Sequence, residues 1–148
     1  MSDAWELASW ADAMVSHDAA WWRAHPEVQF SGKKFTAHPE GLREFGVKEF
    51  KHAEGNSGTL GIEVAMYLGA TRILLLGCDL KGTHYFGPHG RGLKNTTEER
   101  FRVFHRQFSE RKRFPVVNCS PDSALDCFPR GNLMDELNAY GMACDSPG

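Results

Sequence analysis

The most constraining feature of the sequence is an unbroken apolar run at 73–76, Ile-Leu-Leu-Leu, which ends at Gly77. Apolar residues without alternation are typical of a strand that is covered on both faces, and such strands occur mainly in parallel sheets. The run is far shorter than the ~20 residues that cross a bilayer. We therefore predict a central parallel strand over 71–77, with Leu74, Leu75 and Leu76 largely buried.

Helical patterns flank this strand. Apolar residues recur at helical spacing before Gly69, which predicts a helix over 59–68. A capping-box pair, Thr96 with Glu99, predicts a second helix, whose phenylalanines share one face. These phenylalanines are Phe101, Phe104 and Phe108.

Shorter patterns complete the predicted fold. Strands are expected over 13–16, 34–37 and 115–118 and a short helix over 133–140, whereas 38–55 matches no clear pattern. Strands that alternate with helices imply right-handed crossovers and a mainly parallel sheet with helices on its faces. The predicted class is α/β, as a single domain over 1–148.

Composition excludes several classes of partner. The chain has 148 residues with 41% hydrophobic content, which suits one domain with a continuous core. A net charge of -2 offers no basic surface to a nucleic acid, and the N-terminus has no secretory pattern. The cysteines form no C-x-x-C pair, which predicts reduced thiols, with Cys78 as a small core residue. We expect a cytoplasmic protein that binds neither nucleic acid nor membrane.

Aromatic and basic side chains each have a functional and a structural interpretation. Trp21 and Trp22 would stack on a base or sugar, although core or interface positions are commoner for such residues. The second helix carries a basic stripe, for which we favour a solvated face over an anion site because acidic residues dilute it. The stripe consists of Arg100, Arg102, Arg106, Arg111 and Lys112.

Polar residues follow the predicted strands at the sheet edge where open parallel sheets bind ligands. The candidate ligand-binding residues after the strands are Asp18, Asn118 and Ser120. Asn56, Ser57 and Gly58 precede the first long helix, where N–H groups can cradle a phosphate or carboxylate. The alternative is that Asn56 or Ser57 is only an N-cap and that the glycines only form the turn.

Asp79 is the strongest single candidate for the site. A carboxylate that emerges at the end of a buried strand is expected to bind a loop, a ribose hydroxyl or a metal. His84 and His89 follow in the next loop and are suited to proton transfer or to holding a phosphate. These residues form the predicted catalytic set, with Mg²⁺ or Mn²⁺ as a candidate cofactor, although their spacing matches no standard ligand pattern. Loop histidines with structural hydrogen bonds are the alternative.

These motifs together resemble those of a family of phage and prophage proteins. The resemblance rests on Asn56-Ser57-Gly58, on the strand that ends in Gly77 and Asp79, and on His84-Tyr85-Phe86-Gly87. It extends to Trp21-Trp22 and to Val117-Asn118, and so covers almost the whole chain. More distantly, the chain is similar to Rossmann-like bacterial sialyltransferases, motility-accessory-factor glycosyltransferases and archaeal hydroxymethylpterin diphosphokinases.

The resemblance implies a transferase-like domain with a Rossmann-like three-layer fold that binds a nucleotide or nucleotide-sugar. Asn56, Ser57 and Gly58 would contact phosphate, Asp79 a ribose or metal, and His84 or His89 would act as acid or base. Such relatives begin with a further strand and a glycine-rich turn, which Met1 to Ser9 do not contain. We therefore expect the first βα unit to be lacking and the protein to form a homo-oligomer, with Trp21 and Trp22 as anchors. The alternative is a non-catalytic binding or accessory protein that retains the fold.

Overall fold

The computed structural model describes residues 3–51, 54–82 and 96–144. Within these ranges the strands are β1 (Ala13–Val15), β2 (Lys33–Thr36), β3 (Lys48–Glu49), β4 (Ile73–Leu75) and β5 (Val116–Asn118). The helices are α1 (Ala19–Ala24), α2 (Ser57–Tyr67), α3 (Glu98–Ser109) and α4 (Leu133–Cys144), with short 3-10 turns at Asp3–Glu6 and Arg43–Phe45. Alternating helices and strands with parallel pairing confirm the predicted α/β class. No helix in these ranges is both long and apolar enough to span a membrane.

β1, β2 and β3 form a parallel sheet in that order, which we call the first sheet. Met14 of β1 packs with Trp21 and Trp22 on the α1 side. Val15 packs with Leu60 on the α2 side. Successive strand residues point to opposite faces. β1 is therefore buried from both sides.

α2 lies between the first sheet and the remaining core. Leu60 and Val64 pack against the first sheet. Ile62 belongs to a separate cluster with Phe108 of α3 and Val116 of β5. The helix is therefore apolar on two sides, which explains why its apolar residues are not confined to a single stripe.

β4 and β5 pair in parallel and form the second sheet. The predicted parallel strand is confirmed, but its predicted burial is wrong for Leu76, which is 58% exposed, whereas Leu74 and Leu75 are of intermediate exposure. Within the described ranges β4 pairs with β5 alone, and its predicted central position stays a prediction. Ile73 and Leu75 pack against the core of α2 and α3, whereas Leu74 belongs to none of the buried clusters. An apolar run is buried only where neighbouring elements cover both of its faces.

The other predicted elements are confirmed with small shifts. Strands 13–16, 34–37 and 115–118 correspond to β1, β2 and β5, and helices 59–68 and 133–140 to α2 and α4. The second predicted helix is α3, but its N-cap is Thr97 and not Thr96, because Thr97 accepts the Arg100 N–H. β3 has no sequence signal, since its two residues are exposed and charged.

Trp21 and Trp22 are buried in the chain's own core, at 5% and 1% exposure. Their rings meet edge to face, 5.1 Å apart, and the Trp21 ring stacks on His25 at 4.2 Å. The prediction that they anchor an oligomer interface is therefore wrong. Large aromatic rings that can be covered within a domain are more stable there than in water.

Cys78, Cys119 and Cys127 are free thiols. Cys78 packs against the cluster around Phe108, as predicted for a core residue. Burial, with a smaller contribution from the Asp79 carboxylate, raises the pKa of its thiol to about 12. Cys78 is therefore protonated at neutral pH and a poor nucleophile.

Candidate functional site

Polar side chains from three elements meet where β1 and β2 end and α2 begins. The His17 backbone N–H donates to Ser57 Oγ at 3.0 Å, which joins the end of β1 to the first residue of α2. The His17 and His38 rings lie 5.0 Å apart and nearly perpendicular. We call His17, Asp18, His38 and Ser57 the first-sheet cluster.

Buried Thr36 holds the two histidine segments together. Its hydroxyl donates to the His17 carbonyl oxygen at 3.3 Å and accepts the His38 backbone N–H at 3.3 Å. Thr36 is the last residue of β2 and is fully buried. A single hydroxyl therefore joins the main chains of the two histidines at the ends of β1 and β2.

Asp18 is the acidic member of the first-sheet cluster. Its Oδ1 lies 3.5 Å from His17 Nδ1, and its side chain is 75% exposed. The hydrogen bond with His17 lowers the pKa of Asp18, outweighing the opposing effect of burial, and the charges of His17 and His38 add to the decrease. Asp18 is therefore ionised at neutral pH and can accept hydrogen bonds from ligand hydroxyls.

Asn56 and Gly58 have structural roles at the start of α2. Asn56 Oδ1 accepts the N–H groups of Gly58 and Thr59, at 2.9 and 3.2 Å, and Asn56 Nδ2 donates to Gln107 Oε1. A Cβ on Gly58 would lie 2.6 Å from the Phe108 ring, so the glycine permits close packing of α3. These N–H groups serve the cap, which is the structural alternative that the sequence left open. Ser57 remains as the predicted ligand contact in this turn.

Asp79 lies in the turn after β4, and its side chain is exposed. Its main-chain carbonyl accepts the Ala124 N–H at 2.7 Å. Cys78 N–H donates to Ser120 Oγ at 3.0 Å, and Ser123 Oγ donates to the Cys78 carbonyl. The turns after β4 and β5 are thus bound together, with the Asp79 carboxylate facing outward.

Asn118 and Ser120 are buried, at 1% and 2% exposure. Asn118 Nδ2 donates to the Leu125 carbonyl at 2.9 Å, and Asn118 Oδ1 accepts the Ser120 N–H at 3.0 Å. Their side chains shape the turn after β5. Both residues also line a cavity of about 540 Å³ together with Arg130 and Asn132, and their predicted contact with a ligand stays a prediction.

His84 and His89 lie outside the described residues, so their predicted convergence with Asp79 and Ser57 stays a prediction. Ser57 contacts the end of β1, whereas Asp79 contacts the turn after β5. Over residues 3–51, 54–82 and 96–144, no group of three or more His, Cys, Asp or Glu side chains is arranged to hold a metal ion.

A cavity of about 430 Å³, with no counterpart among the predicted site residues, lies between the turn after β4 and α3. Phe101, Arg102 and His105 of α3 line one wall, and Leu80 and Lys81 line the other. With Glu98, which also lines the cavity, these helical residues follow i, i+3, i+4, i+7 spacing, which places them on one face. The sequence contains this spacing. The prediction of one solvated arginine stripe, however, did not distinguish Arg102 from the other arginines and so missed the cavity wall.

The basic stripe on α3 consists of side chains with different environments. Arg102 lines the cavity, whereas Arg111 is 3% exposed and bonds to Glu63 and to the main chain. The predicted solvated face is therefore wrong for Arg111, whereas Arg102 is exposed as predicted and also lines the cavity. Among the described residues, polar side chains thus gather in separate places, which include the first-sheet cluster and the cavity wall beside α3.

Comparisons of the chain with protein-family models, with curated proteins and with solved structures find no match.

Proposed function

We propose that this chain binds a nucleotide or nucleotide-sugar at the first-sheet cluster and acts as a transferase-like domain. The observation that carries the proposal is the convergence of His17, Asp18, His38 and Ser57 from the ends of two parallel strands and the start of α2. Ligands of open parallel sheets collect at this edge. The cluster supplies the donors and acceptors that a phosphorylated sugar needs.

Each member of the cluster has a chemical role in the proposal. The imidazoles of His17 and His38 donate to phosphate oxygens, with the Ser57 hydroxyl beside them. The ionised Asp18 carboxylate accepts from ribose or sugar hydroxyls. Asp79, exposed at the end of β4, would contact a ribose or a divalent cation, and His84 or His89 would act as acid or base.

A Rossmann-like three-layer arrangement is part of the same proposal. α2 packs against both sheets, through Leu60 on one side and Ile62 on the other. This packing supports the idea that the two sheets are parts of one parallel sheet with helices on both faces. The free thiols of Cys78, Cys119 and Cys127 support a reducing, cytoplasmic setting.

The second candidate is a non-catalytic binding protein. It is favoured by the structural roles of Asn56 and Asn118, whose amides cap a helix and hold a turn. A ligand bound without turnover would still need the first-sheet cluster. The two candidates therefore differ in product formation and not in binding.

Thermal unfolding with CMP, UMP and UDP-glucose, each with and without Mg²⁺, tests the proposal. We expect at least one nucleotide to raise the melting temperature. His38→Gln should remove that shift, because the imidazole would no longer reach the phosphate. Glu49→Gln is the control, since it changes an exposed residue of the same sheet that lies outside the cluster. Binding that persists in His38→Gln, or no binding at all, would contradict the proposal.

Asp79→Ala separates a ligand contact from a structural role. Its main-chain bond to Ala124 survives the substitution, so the melting temperature of the free protein should change little. The nucleotide-induced shift should disappear. A large loss of stability without ligand would instead identify the carboxylate as structural.

Turnover separates the two candidates. Release of nucleotide from UDP-glucose by the wild-type chain would favour the transferase over the binding protein.

Self-association is the last part of the proposal, now without the tryptophans as anchors. Exposed apolar residues support it, and they include Leu76, Met134, Leu137 and Tyr140. Light scattering at micromolar concentration tests it, and a monomer would contradict it.

A further inference from the structure

We propose that the cavity beside α3 is a second binding site, for a small phosphate monoester that carries an aromatic ring. The site is distinct from the first-sheet cluster and does not depend on the function proposed above. The cavity volume, about 430 Å³, falls in the range of small-molecule sites.

The charge of the cavity wall favours a dianion. Lys81 and Arg102 contribute two positive charges and Glu98 one negative charge among the lining residues. Arginine forms paired bonds with phosphate oxygens, and lysine adds a point charge. A phosphate monoester carries close to two negative charges at neutral pH. The wall therefore matches a monoester better than it matches a neutral molecule.

Phe101 supplies the surface for the ring. It is partly buried, lies one residue before Arg102 and lines the same cavity. Offset or edge-to-face contacts between aromatic rings typically contribute roughly a threefold to tenfold gain in affinity, and we expect a gain of that size here. Because Phe101 and Arg102 are neighbours on the cavity wall, the proposed ligand is an aryl phosphate, in which ring and phosphate are also adjacent.

His105 has a fixed orientation at the end of this wall. Its Nε2 lies 2.7 Å from Asp126 Oδ1, so the carboxylate holds the ring. Nδ1 is the ring nitrogen that Asp126 does not contact. In the proposal this nitrogen binds a phosphate oxygen, and Asp126 is a positioning residue.

The opposite wall contains a residue, Leu80, with an unusual backbone conformation. Leu80 has a φ of 51°, a left-handed conformation that is strained for a residue other than glycine. Leu80 also packs against the core cluster, which compensates for the strain. The conformation places Lys81 on the cavity wall, where it faces α3.

Isothermal titration of the full chain with 4-nitrophenyl phosphate tests the proposal, with inorganic phosphate as the second probe. We expect the aryl ester to bind about threefold to tenfold more tightly, because only it contacts Phe101. Equal affinity for both probes would overturn the ring assignment. No binding of either would overturn the site.

Arg102→Gln should weaken 4-nitrophenyl phosphate binding about tenfold or more, as expected when a charged hydrogen-bond donor is lost. Arg100→Gln is the matched control, since it removes the same charge from the same helix, where Arg100 lies over Phe104. It should change affinity less than about twofold. Equal losses of affinity in both variants would show that the arginines act only through nonspecific electrostatic attraction. That result would overturn the site.

Two further variants separate contact from folding and from the first-sheet cluster. Phe101→Leu should retain phosphate binding but lose the preference for the aryl ester, and His38→Gln should change neither. A loss of aryl ester binding in His38→Gln would move the ligand to the first-sheet cluster and overturn the second site. Because Arg102 is exposed, Arg102→Gln should melt at the wild-type temperature. Its melting temperature without ligand therefore detects any folding defect separately from the loss of binding.

Discussion

The two sheets differ in how their strands are covered. β1, with the sequence Ala-Met-Val, has helices on both sides, and Met14 and Val15 are about 95% buried. β4, with the more apolar sequence Ile-Leu-Leu, is partly exposed at every position, and Leu76 just beyond it is 58% exposed. Burial therefore follows the layers that surround a strand and not the hydrophobicity of the strand itself.

The two sheets should also differ in how much their side chains contribute to the free energy of unfolding. Trp21, Trp22 and Leu42 close the α1 side of the first sheet. The second sheet has α2 and α3 against one face, where Ile62 and Phe108 lie. Residues of the first sheet should accordingly be the more sensitive to truncation.

Trp22→Ala should cost about 4 kcal/mol, since it removes a fully buried indole from the first-sheet core. Leu76→Ala, on the second sheet, should cost less than about 1 kcal/mol because the side chain is largely in water. Urea unfolding of both variants measures the difference. Similar losses would show that Leu76 is covered in solution and would remove the contrast between the sheets.

Arg111→Ala should cost about 3 kcal/mol, because Arg111 is buried and its loss takes a charged donor from the Gln107 and Glu54 carbonyls. Arg111, just beyond α3, donates to Glu63 of α2 at 3.1 Å and to the Glu54 carbonyl at 3.1 Å. Those bonds join the end of α3, which packs against the second sheet, to α2, which packs against both sheets. Glu63→Gln is the control and should cost less, since Arg111 keeps its main-chain bonds. An unchanged urea midpoint for Arg111→Ala would contradict this role.

The sequence predicted local structure better than burial or site geometry. β1, β2 and α2 follow from patterns within a few residues, because apolar spacing and caps are local properties. The exposure of Leu76 depends on which elements lie over β4, and that information is spread along the chain. The same holds for the first-sheet cluster: Asp18 and Ser57 were predicted, but the pairing of His17 with His38 depends on strand register.

The caps of α2 and α3 test the comparison at a smaller scale. Asn56 caps α2 between the sheets and also bonds to Gln107, whereas Thr97 caps α3 in a more exposed setting. Asn56→Ala should cost about 1.5 kcal/mol and Thr97→Ala about 0.5 kcal/mol. Asn56→Asp retains the accepting oxygen and should lose less than Asn56→Ala. Thermal unfolding orders the three variants, and a larger loss for Thr97→Ala would contradict the assignment.

Asp18→Asn should have the smallest effect, about 0.3 kcal/mol, because an exposed carboxylate gains little from its partner. The hydrogen bond with His17 lowers the pKa of Asp18 below its ordinary value in the folded chain. A lowered folded pKa means that the stabilisation is present above the unfolded pKa and is lost as the pH falls through the folded pKa. The variant should therefore be less stable than wild type at about pH 5, and the two should converge as the pH falls below the folded pKa of Asp18. Urea unfolding across this range measures the difference, and a gap that widens toward low pH would reverse the sign and contradict the role of His17.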